Sequence, residues 1–184
     1  MTEDPLNLAG ELVAALEAAN IPCAIGGAIA LSIWAVPRAT IDIDLTLFID
    51  SDDYAAAITA LQTGGCALDE ADATDRWRRG FAAFGVIDGV RVDLFTPSVP
   101  FYDRAHARVR RIEVGGHDLP FIDAESLAVF KLLFLRPKDR VDLRSLVESS
   151  GGTLDVAWVR NRIADMMGED DERVAFWDEV VAQR

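Results

Sequence analysis

Between residues 40 and 49 the chain alternates without a break. Ile41, Ile43, Leu45, Leu47 and Ile49 fall on one face, and Thr40, Asp42, Asp44 and Thr46 on the other. That period of two is the mark of a strand with one apolar face. It places the Asp42 and Asp44 carboxylates on the same side, roughly 6 to 7 Å apart at their Cα atoms. Two such groups repel each other, and a cation offsets the repulsion. Magnesium suits hard carboxylate oxygens and keeps positions open for substrate phosphates.

Around this strand the hydrophobic pattern predicts a mixed chain. A helix over 6–19 ends at Asn20 and Pro22, residues 23–25 form a short buried strand, and Gly26-Gly27 break it before a helix over 28–34 that Pro37 closes. An Ala-rich helix follows at 52–61. Residues 81–87 and 90–95 form a hairpin about Asp88-Gly89, and 109–114 and 119–122 a second about Gly115-Gly116. Asp123 caps a helix running to Leu135, and three more helices follow at about 139–148, 154–167 and 171–182. Strands dominate the first two thirds and helices the last, so the expected fold is α+β: a core over 1–122 and a helical C-terminal subdomain over 123–184, packed as one compact unit.

Composition narrows the function. The chain of 184 residues, 51% hydrophobic and 27% charged, is an ordinary globular protein. Its polar start, Met1 to Pro5, lacks the features of a secretory signal, and no apolar run reaches the ~18 residues of a membrane span. Cys23 and Cys66 are too few for a disulfide framework or a zinc cage and read as core thiols of a cytoplasmic protein. A net charge of −13 argues against general nucleic-acid affinity, so any such contact must be local. Arg76, Arg78 and Arg79, and Arg104, Arg108, Arg110 and Arg111, form either a basic stripe or solvated strand and loop edges. His106 and His117 lack companions at metal-ligand spacing, and the Trp residues at 34, 77, 158 and 177 read as core.

A third carboxylate comes from Arg91-Val92-Asp93-Leu94-Phe95, where Asp93 again sits among apolar neighbours. If its strand lies beside that of Asp42 and Asp44, the three can hold two metals about 3.5 to 4 Å apart for phosphoryl chemistry. Gly26-Gly27, between strand and helix, lets backbone N–H groups approach a phosphate. Lys131 interrupts a helix that is otherwise apolar on every side and needs a partner: water, a structural carboxylate, nucleotide phosphates or Asp93. Arg38 is a strand-edge residue or a phosphate contact. Lys138, Asp139 and Asp142 open a helix, where the macrodipole favours the two acids.

Taken together, Gly26-Gly27-Ala28-Ile29-Ala30, Pro37-Arg38-Ala39-Thr40 and Asp42-Ile43-Asp44 resemble the nucleotidyltransferase superfamily of the DNA polymerase beta type, and within it the bacterial AbiEii-like enzymes. The likeness extends to 91–95, to Asp123-Ala124-Glu125-Ser126-Leu127 with Lys131, and to Pro137 through Leu143. It implies a nucleotidyltransferase-type mixed β-sheet flanked by helices. It also implies transfer of a nucleoside monophosphate from an NTP to an acceptor hydroxyl, with magnesium or manganese as cofactor. In this resemblance Asp42 and Asp44 are metal ligands, Asp93 joins them and activates the acceptor, and Gly26, Gly27, Arg38, Thr40 and Lys131 bind the nucleotide. The acceptor it implies is RNA, such as a tRNA end, or a protein, with a cognate antitoxin as partner. An aminoglycoside-type small molecule and a non-catalytic interaction module are the rival readings.

Overall fold

The structure, a computed structural model, describes residues 4–184. The polar start at residues 1–3, part of the argument against a secretory signal, lies outside the described residues. Among those described, no helix is long and apolar enough to cross a membrane.

The chain divides into two units, residues 4–29 with 39–122, and residues 30–38 with 123–184. The first is built on a six-stranded sheet: β1 (Cys23–Ile25), β2 (Asp42–Leu47), β3 (Ala83–Ile87), β4 (Val90–Phe95), β5 (Arg110–Val114) and β6 (His117–Phe121), in the order β3-β4-β2-β1-β6-β5. The β2–β4 and β1–β6 pairs are parallel and the other three antiparallel. β2 covers only the centre of the alternating stretch; ahead of it the Thr40 hydroxyl hydrogen-bonds the Asp42 main chain, and Ile41, expected on the apolar face, is exposed.

One face of this sheet is apolar. Ile43, Leu45, Val92 and Leu94 are fully buried there. Helix α1 (Pro5–Ala18) packs on β1, β2 and β6, and its Leu8, Leu12 and Leu16 form a buried stripe at helical spacing. Asp4 caps it by accepting from the Leu6 N–H at 3.1 Å, with Pro5 at the first helical position. Helix α2 (Gly27–Trp34) begins at the end of β1 and runs out of this unit into the second. Helix α3 (Tyr54–Thr63) packs on α1.

Two helices escaped the sequence pattern. Helix α4 (Glu70–Arg78) buries only Ala73 and Trp77, too few for a visible stripe. It is held instead by Asp69, which accepts from the Asp72 N–H at 2.8 Å, and by acids in its first turn and Arg76 and Arg78 in its last. Those arginines therefore stand on a helix rather than on strand or loop edges. Helix α5 (Phe101–His106) is short, and its His106 stacks on Phe48 with ring centroids 4.4 Å apart.

The second unit contains α6 (Ala124–Phe134), α7 (Pro137–Ser149), α8 (Val156–Met167) and α9 (Glu172–Ala182), with the rest of α2 and residues 35–38. Helix α6 contacts α7, α8 and α9, and Trp177 is fully buried with its indole N–H on the Val156 carbonyl at 3.0 Å. Residues 30–38, assigned to the core in the sequence division, group with these helices. Asp123 is the residue before α6, but its side chain makes no capping hydrogen bond.

Candidate active site

The ladder between β2 and β4 places the acidic residues. Asp44 is the register partner of Asp93, and Asp42 that of Arg91. In-register residues of adjacent strands point to the same face, about 4.8 Å apart. Their neighbours Ile43, Leu45, Val92 and Leu94 are all buried, so Asp42, Asp44 and Asp93 share the opposite, half-exposed face.

On the other side of β2, the Gly26 N–H donates to the Asp44 carbonyl at 2.8 Å and extends this row onto the turn that opens α2. Gly27 has φ +57°, and a Cβ there would lie 1.7 Å from Asp44 Oδ2. The carboxylate therefore lies directly on bare backbone, in a place no side chain can share. Gly26 has no such constraint, since the nearest atom to a Cβ there is 3.7 Å away.

The carboxylates are hard oxygen donors on one face, a set that suits magnesium or manganese. Among the described residues, however, no three acidic, His or Cys side chains are gathered into a ready metal cage. The Arg91 guanidinium is one visible reason: its Nε donates to Asp93 Oδ1 at 2.6 Å. For Asp93 to join Asp44 on a cation, this ion pair must open.

The other residues expected at the nucleotide have local partners. Thr40 is engaged with the Asp42 main chain. In the second unit, Asp142 is the centre of a buried charge cluster. Lys131 Nζ donates to its Oδ2 at 2.7 Å, and Arg38 donates Nε to Oδ1 at 2.8 Å and a terminal nitrogen to Oδ2 at 3.1 Å. Asp139 Oδ1 lies 3.9 Å from Lys131 Nζ, and Asp139 Oδ2 accepts from Arg136 Nε at 2.7 Å. Asp139 and Asp142 are 0% and 2% exposed, so charge pairing within this cluster, beyond any macrodipole effect, accounts for their place. Burial pushes the Asp142 carboxyl up, but hydrogen bonds from Arg38 and Lys131 outweigh it and hold the group below its ordinary value.

Sequence reasoning missed Asp142 as the partner of Lys131, and it missed Phe84, the register partner of Asp93 on β3. The signal for the first was Lys131 itself, a cation in an apolar helix eleven positions before an acid. Phe84 gives no such signal, because aromatic residues on strands are ordinary.

No protein-family model matches the chain, and no curated protein matches its sequence. Solved structures do resemble it. The antibiotic-resistance factor ANT(2″)-Ia superposes in its crystal complex with adenylyl-2″-tobramycin at TM-score 0.60 and 17% identity, over 88% of this chain and 97% of that one. Its solution structure superposes at 0.57 and 15% over the whole of both chains. An antigenic nucleotidyltransferase-like protein from Paracoccidioides brasiliensis superposes at 0.55 and 15% over 93% and 92%. With its mixed six-stranded sheet, flanking helices and helical C-terminal region, the chain has the nucleotidyltransferase fold.

Proposed function

We propose that the chain is an enzyme that transfers a nucleoside monophosphate from an NTP to an acceptor hydroxyl and releases pyrophosphate. The observation that carries this reading is the row Gly26, Asp44, Asp93 across one face of the sheet. Asp42, Asp44 and Asp93 would hold magnesium or manganese, which supplies charge against the phosphate oxygens. The backbone N–H groups of the Gly26-Gly27 turn, at the start of α2, meet the triphosphate. Asp93 takes the proton of the acceptor hydroxyl as its oxygen bonds to the α-phosphorus and the bond to the β-phosphate oxygen breaks. Positioning and charge account for the catalysis, with no covalent intermediate on the protein. Lys131 and Arg38, in the second unit, are both held by Asp142.

For the acceptor, the likeness to a protein crystallised with adenylyl-2″-tobramycin supports a small molecule. RNA or a protein hydroxyl, with an antitoxin as partner, is the alternative.

The test is incubation with magnesium and each α-labelled NTP beside total RNA, a lysate or an aminoglycoside panel. The expected result is labelled acceptor with the wild type and none with Asp42→Asn/Asp44→Asn. Absence of label, together with no NTP binding at millimolar concentration, would overturn the reading.

A further inference from the structure

The row of residues does not stop at Asp93. β3 lies beyond β4 on the side away from β2, and Phe84 stands opposite Asp93, so the row reads Gly26, Asp44, Asp93, Phe84. Two guanidiniums lie over the Phe84 ring: the central carbon of Arg76 is 4.2 Å from its centroid and that of Arg91 is 4.1 Å. Arg76 comes from α4 and is braced by its Nε on the Ala82 carbonyl at 2.6 Å. Arg91 is 51% exposed and holds Asp93. In a chain with 31 acidic and 18 basic residues, this is a local concentration of positive charge beside a row of carboxylates.

The order across the sheet gives the site a direction. With the triphosphate at the glycine turn and the hydroxyl activated at Asp93, the body of the acceptor extends over β3. What it meets there is a pair of guanidiniums, planar donors that grip phosphate bidentately and present flat faces on which a base can stack. We propose that Arg76, Phe84 and Arg91 form the acceptor subsite, and that it takes an acceptor bearing a phosphate ester near its hydroxyl, whether the end of an RNA strand or a nucleoside monophosphate. This rests on the function proposed above. Arg91 also links the subsite to the carboxylates: when Asp93 turns to a divalent cation, Arg91 loses its carboxylate partner and becomes available to phosphate. Magnesium therefore strengthens acceptor binding.

The test is binding without NTP, read by fluorescence anisotropy of labelled hexauridylate and by competition with UMP. The wild type should bind hexauridylate, more tightly with magnesium. Arg76→Ala and Arg91→Ala should each weaken it about tenfold, and each should flatten the salt dependence by about one ion. Arg76→Lys and Arg91→Lys should restore only part of the loss, since lysine keeps charge without the planar fork. Magnesium should not tighten binding to Arg91→Ala. Arg111→Ala, on β5 at the far edge of the sheet, should bind as wild type, which separates a built subsite from diffuse charge. Thermal melts confirm that each variant is folded. UMP competing as well per molecule as unlabelled hexauridylate assigns the small acceptor, and much weaker competition assigns the strand end.

Hexauridylate binding unchanged in Arg76→Ala and Arg91→Ala, or no binding by a folded wild type, overturns the subsite. NMP transfer to tobramycin that ignores both substitutions also overturns it while leaving the enzyme reading intact. The enzyme reading fails separately, on absent NTP binding.

Discussion

Asp44 Oδ2 occupies the space that a side chain on Gly27 would need. Gly27→Ala therefore forces the carboxylate aside and places alanine at φ +57°, a conformation that costs an L-residue about 1 to 2 kcal/mol. The expected outcome is a lowered melting temperature together with loss of NTP binding. Gly26→Ala, one residue away with open space, should melt close to wild type. Differential scanning of the two variants checks the contrast, and equal melting would refute it.

Asp142 should be the most costly acid to remove in the second unit. Asp142→Ala leaves Lys131 buried without its nearest partner, and breaking a buried pair in this way costs about 3 to 5 kcal/mol. Replacing both partners, Lys131→Met with Asp142→Leu, should recover much of that loss. Urea unfolding of the single and double variants measures the coupling.

The same carboxyl gives a pH dependence with a definite sign. Its folded pKa lies below the unfolded value of about 3.9. The unfolded chain thus binds the proton more readily, and stability rises with pH through this window. The contribution is complete above the unfolded value and is lost as pH falls through the folded one. Acid titration of unfolding should be shallower below about pH 4 in Asp142→Asn than in wild type.

In the first unit, a Cβ on Gly85 would lie 2.4 Å from Cys66 Sγ. Gly85→Ala should cost about 1 to 3 kcal/mol through overpacking, and Cys66→Ala in the same chain should relieve it. Burial also pushes the Cys66 thiol up to about 11 and Cys23 to about 12. Neither should react with a thiol reagent at pH 8 until the protein unfolds, and a fast native reaction would contradict this packing.

Magnesium or manganese should raise the melting temperature of the wild type, because a ligand selective for the folded state stabilises it by mass action. The shift should be smaller in Asp42→Asn/Asp44→Asn. Equal shifts in both proteins would count against the carboxylates as metal ligands.

Much of this arrangement was legible where a pattern repeats. Apolar residues at a period of two marked β2, although Ile41 and Ile49 fall outside the strand and Ile41 is exposed, and the turns at Asp88-Gly89 and Gly115-Gly116 marked both hairpins. Pairing between distant strands was not legible, because periodicity tells which face a residue occupies but not which strand lies beside it. That Asp44 stands opposite Asp93, rather than two residues along, is a property of the register alone. Helix α4 was hidden because its caps and end charges, rather than an apolar stripe, define it. Asp142 was hidden for a different reason: Lys131 signalled the need for a partner, but a surface-like sequence context did not mark Asp142 as the acid on which Lys131 and Arg38 meet.

The parallel pairing of β2 with β4 also has a consequence during synthesis. A parallel neighbour cannot be reached by a tight turn, and here the intervening chain includes α3, α4 and β3. A growing chain thus presents Asp42 and Asp44 well before Asp93 has been made, and the contact between them forms only after a long loop has closed. The carboxylate row is a late product of folding, so a chain interrupted before β4 carries half of it and cannot complete it.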